Sequence, residues 1–263
     1  MNSPGHLYDA LFLLESRFRR GAYPIHKRLC FDDNKTDDIY DWIIKNFDVP
    51  DNGVIMDAGC GVGFGTLRLA AGSNSAVVGI GVSVAEITQA TRNVKAAGYD
   101  DRVEICCKSY DNLGKSTFDM VIAVESLKHS FDVKRSIQSL VRALKPGGRM
   151  VIVEDLFCGP KQHPSARQMV KDWVLTRSYS EADYVDALSS GRTVITDLSS
   201  RVKIPNRIAI KAALLAVQAL LIIGPHKHSL AFRAFRGGLH LQRLYARGLM
   251  HYKAIEFTKD ATT

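Results

Sequence analysis

The stretch VIMDAGCGVGFG, residues 54–65, decides the fold class. Its first five residues form a short, mostly apolar run that contains Asp57, which predicts a buried strand. Glycines follow at positions 59, 61 and 63, and glycine adopts positive φ and lets a ligand approach the backbone closely. The stretch therefore predicts a strand, a tight turn at the carboxyl edge of a parallel sheet, and a helix beginning about residue 64.

Strand and helix patterns alternate downstream of this turn. Besides 54–58, Val- and Ile-rich runs predict strands at 76–81, 103–107, 118–124 and 149–154. Helices are predicted between them at 84–97 and 132–144, and the second has an apolar stripe of Ile137, Leu140, Val141 and Leu144. Strands without polar alternation are typical of a sheet that helices cover on both faces. We therefore predict an α/β fold, a doubly wound, Rossmann-like, seven-stranded sheet with a helical cap.

The segments on either side of this core predict the cap. Helices are predicted at 6–20 and 35–47 before the core, and after it at 164–176, at 180–190 and across 206–247. Two further strands, 192–197 and 249–258, complete the predicted sheet. The predicted division is an N-terminal helical cap at 1–50, a nucleotide-binding core at 51–198, cap helices at 199–248 and a last core strand at 249–263.

Charge is unevenly distributed along the 263-residue chain. The formal net charge is +8, and the residues from Thr196 onward hold eleven Lys or Arg against three Asp or Glu. An anionic substrate group, an anionic membrane surface or a solvated basic face would each explain this excess. Aromatic residues are not interleaved with the charges as a single-strand stacking surface requires, so we expect no nucleic-acid partner.

The cysteines and the apolar segments bear on location. Five cysteines, an odd number, show neither a disulfide framework nor metal-ligand spacing, which favours a reducing compartment and no structural metal. Residues 1–14 lack the basic start of a secretory signal, and the apolar run 212–223 is shorter than the roughly 18 residues of a spanning helix. We expect a cytoplasmic protein without integral membrane association; a homodimer stays open.

The acidic residue of the first core strand distinguishes between cofactors. A glycine turn alone suits a dinucleotide as well as other adenosine cofactors. The carboxylate of Asp57 would repel a pyrophosphate, whereas it would attract the ammonium of an amino-acid group. This charge favours S-adenosylmethionine over NAD.

Three segments in order carry a family resemblance. Residues 54–70 are similar to a glycine motif, FDMV at 118–121 to a fourth strand, and LKPGGR at 144–149 to a turn before a fifth strand. The family that they resemble is the class I S-adenosylmethionine-dependent methyltransferases. The resemblance implies S-adenosylmethionine as cofactor, with contacts from Asp57, Gly59, Cys60, Gly61 and Gly63. Residues 249–260 resemble the last strand of the lipid and polyketide branch, which implies a small-molecule substrate.

The second strand departs from the family pattern. Where the family has an acidic residue that binds the ribose hydroxyls, this chain has Gly81. The run GIGVSVAE, residues 79–86, resembles the variant of sterol, terpene and polyketide methyltransferases, which implies that Val82, Ser83 and Glu86 lie at or near the ribose. Alternatively, Glu86 is an acidic residue in the first turn of a helix, where its charge interacts favourably with the helix dipole.

The end of the third strand departs as well. The family often has G-D-A there and uses the aspartate against adenine, whereas this chain has Lys108, Ser109 and Tyr110. By position, Ser109 is the candidate partner of adenine and Tyr110 the candidate cover of its ring. A capping serine and a partly buried tyrosine are the alternatives. Val124, at the end of the fourth strand, completes the predicted cofactor contacts.

The candidate catalytic residues follow the fourth strand. Methyl transfer displaces a methyl group from a sulfonium, so the enzyme chiefly aligns the acceptor and excludes water. Residues 125–132, ESLKHSFD, resemble a segment of natural-product methyltransferases. His129, with an ordinary pKa of about 6.5, suits removal of a hydroxyl proton, and Glu125 suits stabilisation of a carbocation formed on an alkene. Alternatively, Glu125 orients the glycine turn and His129 begins the next helix.

The sequence thus predicts an enzyme that transfers a methyl group to oxygen or carbon of a small, largely apolar metabolite. A terpenoid, a prenyl diphosphate or a polyketide-like molecule fits, with or without an anionic group. Three alternatives stay open at this point. They are a cyclase that binds the cofactor without consuming it, a non-catalytic binding protein on the same fold, and a methyltransferase of RNA or protein.

Overall fold

The computed structural model describes residues 26–30, 36–115, 117–223 and 230–261. The strands are β1 (Leu29–Cys30), β2 (Thr36–Asp37), β3 (Val54–Ala58), β4 (Ala76–Gly81), β5 (Val103–Cys107), β6 (Phe118–Val124), β7 (Leu144–Phe157), β8 (Gly191–Asp197) and β9 (Met250–Lys259). The helices are α1 (Ile39–Asn46), α2 (Phe64–Gly72), α3 (Val84–Ala96), α4 (Val133–Ala143), α5 (Pro164–Asp172), α6 (Glu181–Val185), α7 (Arg207–Ile223) and α8 (Leu230–Ala246). The predicted helix 6–20 lies outside the described residues.

Seven of these strands form one sheet in the order β5-β4-β3-β6-β7-β9-β8. The strands from β5 to β7 in this order are parallel, and β9 runs antiparallel between β7 and β8. The chain moves outward from β3 through β4 to β5 and then returns, so that β6 lies on the other side of β3. The predicted α/β fold is confirmed. In such sheets, ligands bind where this reversal occurs, outside the carboxyl ends of β3 and β6.

Both faces of the sheet are buried, as the strand sequences predict. Successive strand residues point to opposite faces, and Ile55 therefore belongs to the core that includes α1 and α2, whereas Met56 belongs to the core against α4. Ile137 and Leu140, from the predicted apolar stripe of α4, are fully buried in the second core.

The first described helix is shorter than predicted, since it begins at Ile39 rather than near residue 35. Asp38 caps it and accepts a hydrogen bond from the backbone N–H of Tyr40 at 2.9 Å. Residues 36–37 pair instead with β1. A two-residue hairpin has no periodicity that the sequence could reveal.

The other differences also lie at the ends of elements. Strands β3 to β6 have the predicted bounds, but β7 starts at Leu144 and continues to Phe157, beyond the predicted 149–154. The predicted helix 164–176 ends at Asp172, and Val174 has φ +56, outside the right-handed helical region. The helix predicted at 180–190 is the short α6.

The division into a core and a cap stays a prediction. In the described part of the chain, α8 packs against α5 and α7 at one end of the sheet. None of the helices within the described ranges combines the length and hydrophobicity needed to cross a bilayer.

Candidate active site

At its most crowded position, residue 59, the turn after β3 accommodates only glycine. Gly59, Gly61 and Gly63 have φ of +95, +51 and +83. A Cβ on Gly59 would overlap the Cβ of Ser126, which follows β6. The N–H groups of Gly59 and Cys60 donate to the carbonyl of Ile80 at 2.8 and 3.0 Å and fix the turn against β4. The turn is a backbone cradle at the predicted edge of the sheet, and it fits a ligand that approaches the main chain closely.

Asp57 lies below this cradle and is fully buried. Its carboxylate accepts hydrogen bonds from Tyr40 Oη at 2.8 Å and Thr66 Oγ1 at 2.6 Å. Burial raises the pKa of Asp57, and the hydrogen bonds from Thr66 and Tyr40 oppose this shift. Asp57 therefore ties β3 to α1 and α2. Its predicted contact with the ammonium of the cofactor stays a prediction.

The residues after β4 form the next part of this edge. Gly81 leaves room at the position of the family's acidic residue, because a Cβ there would meet no atom closer than Ile87 Cδ1 at 3.3 Å. Val82 follows with 49 % of its surface exposed, as an apolar residue beside a bound ring would be. Ser83 is buried and caps α3, since its Oγ accepts from the N–H of Glu86 at 3.2 Å. Glu86 is partly buried in the first turn of α3, which leaves both readings of that residue open.

The residues after β5 turn back toward β6. Ser109 Oγ donates to the carboxylate of Asp111 at 2.9 Å and accepts from its N–H at 3.2 Å, which forms a local turn. Tyr110 Oη donates to the carbonyl of Ser126 at 3.1 Å. Burial raises the pKa of Tyr110, so this phenol stays protonated. Val124 is buried at the end of β6. The predicted cofactor residues thus lie along the carboxyl ends of β3 to β6, and their contacts with the cofactor stay predictions.

A cluster of buried charges lies at the other half of this edge, at the ends of β6, β7 and β9. We call it the lysine–carboxylate cluster; its members are Lys27, Glu125, Lys128, Glu154 and Asp155. The ammonium of Lys128 lies 3.3 Å from Glu125, 3.2 Å from Glu154 and 3.0 Å from Asp155. The ammonium of Lys27 lies 3.2 Å from Glu125 and 2.8 Å from Asp155. Three carboxylates therefore share two ammonium groups.

Glu125 is held more tightly than its position in a loop suggests. It has φ +49, which is uncommon for a residue with a side chain. Its Oε1 accepts from the backbone N–H of Lys27 at 2.8 Å and from Tyr252 Oη at 3.1 Å. Tyr245 Oη donates in the same way to Asp155. Residues distant in the sequence thus hold this carboxylate in one orientation.

The cluster determines the protonation states of both candidate catalytic residues. Burial alone would raise the pKa of Glu125, but Lys27 and Lys128 outweigh it and hold this pKa far below its ordinary value. Burial, and next the ammonium of Lys128, lower the pKa of His129 to about 3. Glu125 is therefore an anion and His129 a neutral imidazole near neutral pH. A general base is most efficient when its pKa is close to the working pH, so neither residue is tuned to take a proton from a hydroxyl.

A narrow cleft opens beside the cluster. Lys128 and Asp155 line one end of it, and the remaining lining residues are Met169, Trp173, Leu175, Arg177, Ser178, Tyr179, Leu241 and Met250. The ammonium of Lys128 lies 5.7 Å from the centre of the Trp173 ring. The buried Oγ of Ser178 has no hydrogen-bond partner among the described residues. The lining is mostly apolar with a few polar groups, as in small-molecule sites, but the volume of the cleft, about 10 Å³, is no larger than one water molecule needs, so a substrate requires the cleft to widen.

Sequence reasoning missed most of this second half. It named Glu125 and His129 but not Glu154 or Asp155, and it did not connect Lys27 or Lys128 to Glu125. One local signal was available, since the acidic pair Glu154-Asp155 interrupts the apolar run of β7. No local signal connects Lys27 to it, because 98 residues separate Lys27 from Glu125.

A family model described as a methyltransferase domain matches residues 50–194, more than half of the chain. The chain belongs to this methyltransferase-domain family. S-adenosylmethionine is the cofactor of this domain, as the glycine turn and its acidic residue predict. The matched residues include the glycine turn, Glu125 and the acidic pair of β7.

Curated relatives match only part of this chain. The match to methyltransferase GfsG of Streptomyces halstedii is 30 % identical over 119 residues, 44 % of this chain and 43 % of that protein. The chain spans less than half the length of the curated relatives that it matches.

Solved structures resemble this chain along nearly its whole length. The [4+2]-cyclase SpnF aligns with 97 % of this chain and 94 % of its own, with a TM-score of 0.74 and 21 % identity. The geranyl diphosphate C-methyltransferase of Streptomyces coelicolor A3(2) aligns with 96 % of this chain and 98 % of its own, with a TM-score of 0.70 and 16 % identity. At these identities the likeness shows a shared fold.

Proposed function

We propose that the protein transfers the methyl group of S-adenosylmethionine to a small, largely apolar metabolite, of the terpenoid, prenyl diphosphate or polyketide-like kind. One observation carries this proposal: a single short segment joins the glycine turn to the apolar cleft. Ser126 Oγ donates to the carbonyl of Ala58 at 2.7 Å and its Cβ closes over Gly59, while Lys128, two residues on, lines the cleft. A donor on the turn and an acceptor in the cleft would be neighbours, and alignment is the main requirement of methyl transfer.

The electrostatics of the cleft favour carbon as the acceptor atom. The bound cofactor supplies an electrophilic methyl group, and its addition to an alkene leaves a positive charge on the acceptor. In the lysine–carboxylate cluster, burial raises the pKa of Glu154, whereas the ammonium groups of Lys27 and Lys128 outweigh burial and hold the pKa values of Glu125 and Asp155 below their ordinary values. Glu125 and Asp155 are therefore the fixed anions of the cluster, and Asp155 lines the cleft. A hydroxyl acceptor needs a base with a pKa near neutrality, whereas the C–H beside a carbocation is acidic enough for a weak base such as Glu125.

Two variants separate these routes. Under carbon methylation, Glu125→Gln should lower kcat by about 100-fold or more, and His129→Gln should change it by less than about tenfold. The reverse order would assign the base to His129 and the acceptor atom to oxygen. Circular dichroism and the affinity for S-adenosylhomocysteine should be measured for both variants, because the effect sought is on the chemical step.

The activity itself is tested by the mass of the product. Calorimetric titration with S-adenosylmethionine and S-adenosylhomocysteine comes first, and acceptors of the three kinds are then incubated with methyl-deuterated cofactor. A product that gains one labelled methyl group, with S-adenosylhomocysteine formed in equal amount, supports the proposal. A folded protein that binds neither cofactor molecule would overturn it.

A cyclase that keeps its cofactor is the second candidate. Its support is the structural likeness to a [4+2]-cyclase along almost the whole chain, together with the finding that neither candidate base, Glu125 or His129, has a pKa near neutrality. The same incubation distinguishes the two, because a cyclase yields a product of unchanged mass and consumes no cofactor. The expectation that the protein binds no nucleic acid stays a prediction, and a homodimer stays open.

A further inference from the structure

Helix α7 is apolar on two sides, and packing explains only one of them. Ile210, Leu214 and Val217 are buried against the rest of the protein. On the opposite side, Ile208 and Leu215 have 78 % and 56 % of their surface exposed. Ala212 and Ala219 are exposed at the intervening helical spacing. We call these four residues, Ile208, Ala212, Leu215 and Ala219, the α7 stripe.

Basic residues border the α7 stripe, and acidic residues are absent from a long stretch of sequence around it. Arg207 and Lys211 are exposed in the first turns of the helix, and Lys203 is exposed just before it. The 58 residues from 198 to 255 hold ten Lys or Arg and no Asp or Glu. An apolar helix face with lysine and arginine beside it is typical of helices that lie in the plane of an anionic lipid surface.

Other partners fit this surface less well. A nucleic acid would use the positive charges but would gain nothing from exposed Ile208 and Leu215. A second copy of the chain, paired through the α7 stripe, would cover the apolar side chains but would offer Arg207 and Lys211 no acidic partner from its own α7, because residues 198–255 hold no Asp or Glu. An anionic bilayer satisfies both features, since lipid tails take the apolar side chains and headgroups take the charges.

We propose that the α7 stripe and its basic border attach the protein reversibly to the surface of an anionic bilayer, with α7 parallel to the membrane plane. No described helix is able to cross a bilayer, so the attachment is peripheral. This attachment is independent of catalysis, and a protein without transferase activity would still show it.

The test is co-sedimentation of the full chain with lipid vesicles. One vesicle is phosphatidylcholine alone, and the other is an equal mixture of phosphatidylcholine and phosphatidylglycerol. We expect binding to the mixed vesicles that weakens with rising salt, and little binding to phosphatidylcholine. The double variant Ile208→Glu with Leu215→Glu should reduce the partition coefficient by about tenfold or more. Val194→Glu is the matched control, because Val194 is an exposed valine, 41 % accessible, on the edge strand β8.

A second pair of variants tests the charges without altering the apolar surface. Lys211→Gln should weaken binding to the mixed vesicles several-fold, whereas Lys95→Gln, an exposed lysine on α3, should leave it unchanged. Failure of the wild type to sediment with mixed vesicles would overturn the proposal, as would equal loss in the control variants. Dimerisation in solution that Ile208→Glu with Leu215→Glu abolishes, or tight binding to RNA without binding to vesicles, would assign the surface to those partners instead.

Discussion

The two halves of the candidate site are built from different parts of the chain. The half at β3 and β4 is a backbone structure, in which positive-φ glycines and N–H groups bonded to Ile80 form a cradle from one continuous stretch. The half at β6, β7 and β9 is a side-chain structure, in which five buried charges from three separate parts of the chain hold one another. We propose that the first half holds the cofactor, which is common to many enzymes, and that the second half faces the substrate. The difference shows why the cofactor is easier to predict than the acceptor.

The same difference predicts distinct responses to mutation. In the lysine–carboxylate cluster, loss of one partner leaves the others charged and buried, which costs stability. In the glycine turn, an added atom obstructs the space where a ligand approaches, which costs affinity. The following experiments measure stability, cofactor affinity or both, and each has an outcome that would contradict this division.

The largest effect is expected for Lys128→Met. The ammonium of Lys128 lies within 3.3 Å of three carboxylates, and the substitution leaves them with Lys27 alone. We expect the free energy of unfolding, measured in urea at neutral pH, to fall by about 3–5 kcal/mol. Lys45→Met is the control; this lysine pairs with Asp37 at the surface, and its loss should cost less than about 1 kcal/mol. A loss below about 1 kcal/mol for Lys128→Met would mean that the cluster contributes little to folding.

Gly59→Ala should have the next largest effect, on cofactor affinity. The new Cβ would overlap Ser126, and the backbone has φ +95, so the turn must move. A cost of about 2–3 kcal/mol corresponds to a loss of about 30- to 150-fold in affinity for S-adenosylhomocysteine, measured by calorimetry.

Gly98→Ala separates the two causes of that loss, which are the overlap with Ser126 and the strain of a positive φ. Gly98 also has positive φ, +71, but a Cβ there would meet no atom within 4 Å. The Gly98→Ala variant should therefore lose some stability but keep its affinity for S-adenosylhomocysteine. Unchanged affinity in Gly59→Ala would place the cofactor away from this turn.

The extent to which the sequence predicts the structure follows the same division. The bounds of β3 to β6 and the glycine turn are encoded locally, by short apolar runs and by a residue type that positive φ requires. Lys27 joins the cluster only because the residues just before β1 and the start of β9 both lie beside the segment after β6, and no spacing rule relates Lys27 to Glu125 or Tyr252. The early end of α5 was also unpredictable, because Val174 adopts φ +56 against its own preference.

The pH dependence of stability tests the environment of His129. The pKa of this imidazole is about 3 in the folded protein, against about 6.5 in an unfolded chain. The unfolded chain therefore binds the proton first, and stability falls as the pH drops below 6.5. Linkage gives a loss of about 2 kcal/mol between pH 8 and pH 5 from this group.

The loss is isolated by comparison with His129→Gln, because the chain holds seven other histidines. Urea unfolding of both proteins at pH 8 and pH 5 should show a smaller decrease for the variant, by about 2 kcal/mol. Equal decreases would mean that His129 titrates near its ordinary pKa. That result would restore the imidazole as a base suited to oxygen methylation, and with it a role that the cluster argues against.

The smallest effect concerns Ser83, a side chain in the half of the site that is built from backbone. Its Oγ caps α3 by accepting from the N–H of Glu86, and loss of such a cap costs about 1 kcal/mol. Ser180→Ala removes the equivalent cap of α6, far along the chain from the glycine turn, and should cost about as much. If the first half of the site binds the cofactor through its backbone, both variants lose only stability and bind S-adenosylhomocysteine as tightly as the wild type. A loss of affinity in Ser83→Ala but not in Ser180→Ala would show that a side chain takes the place of the acidic residue that Gly81 replaces.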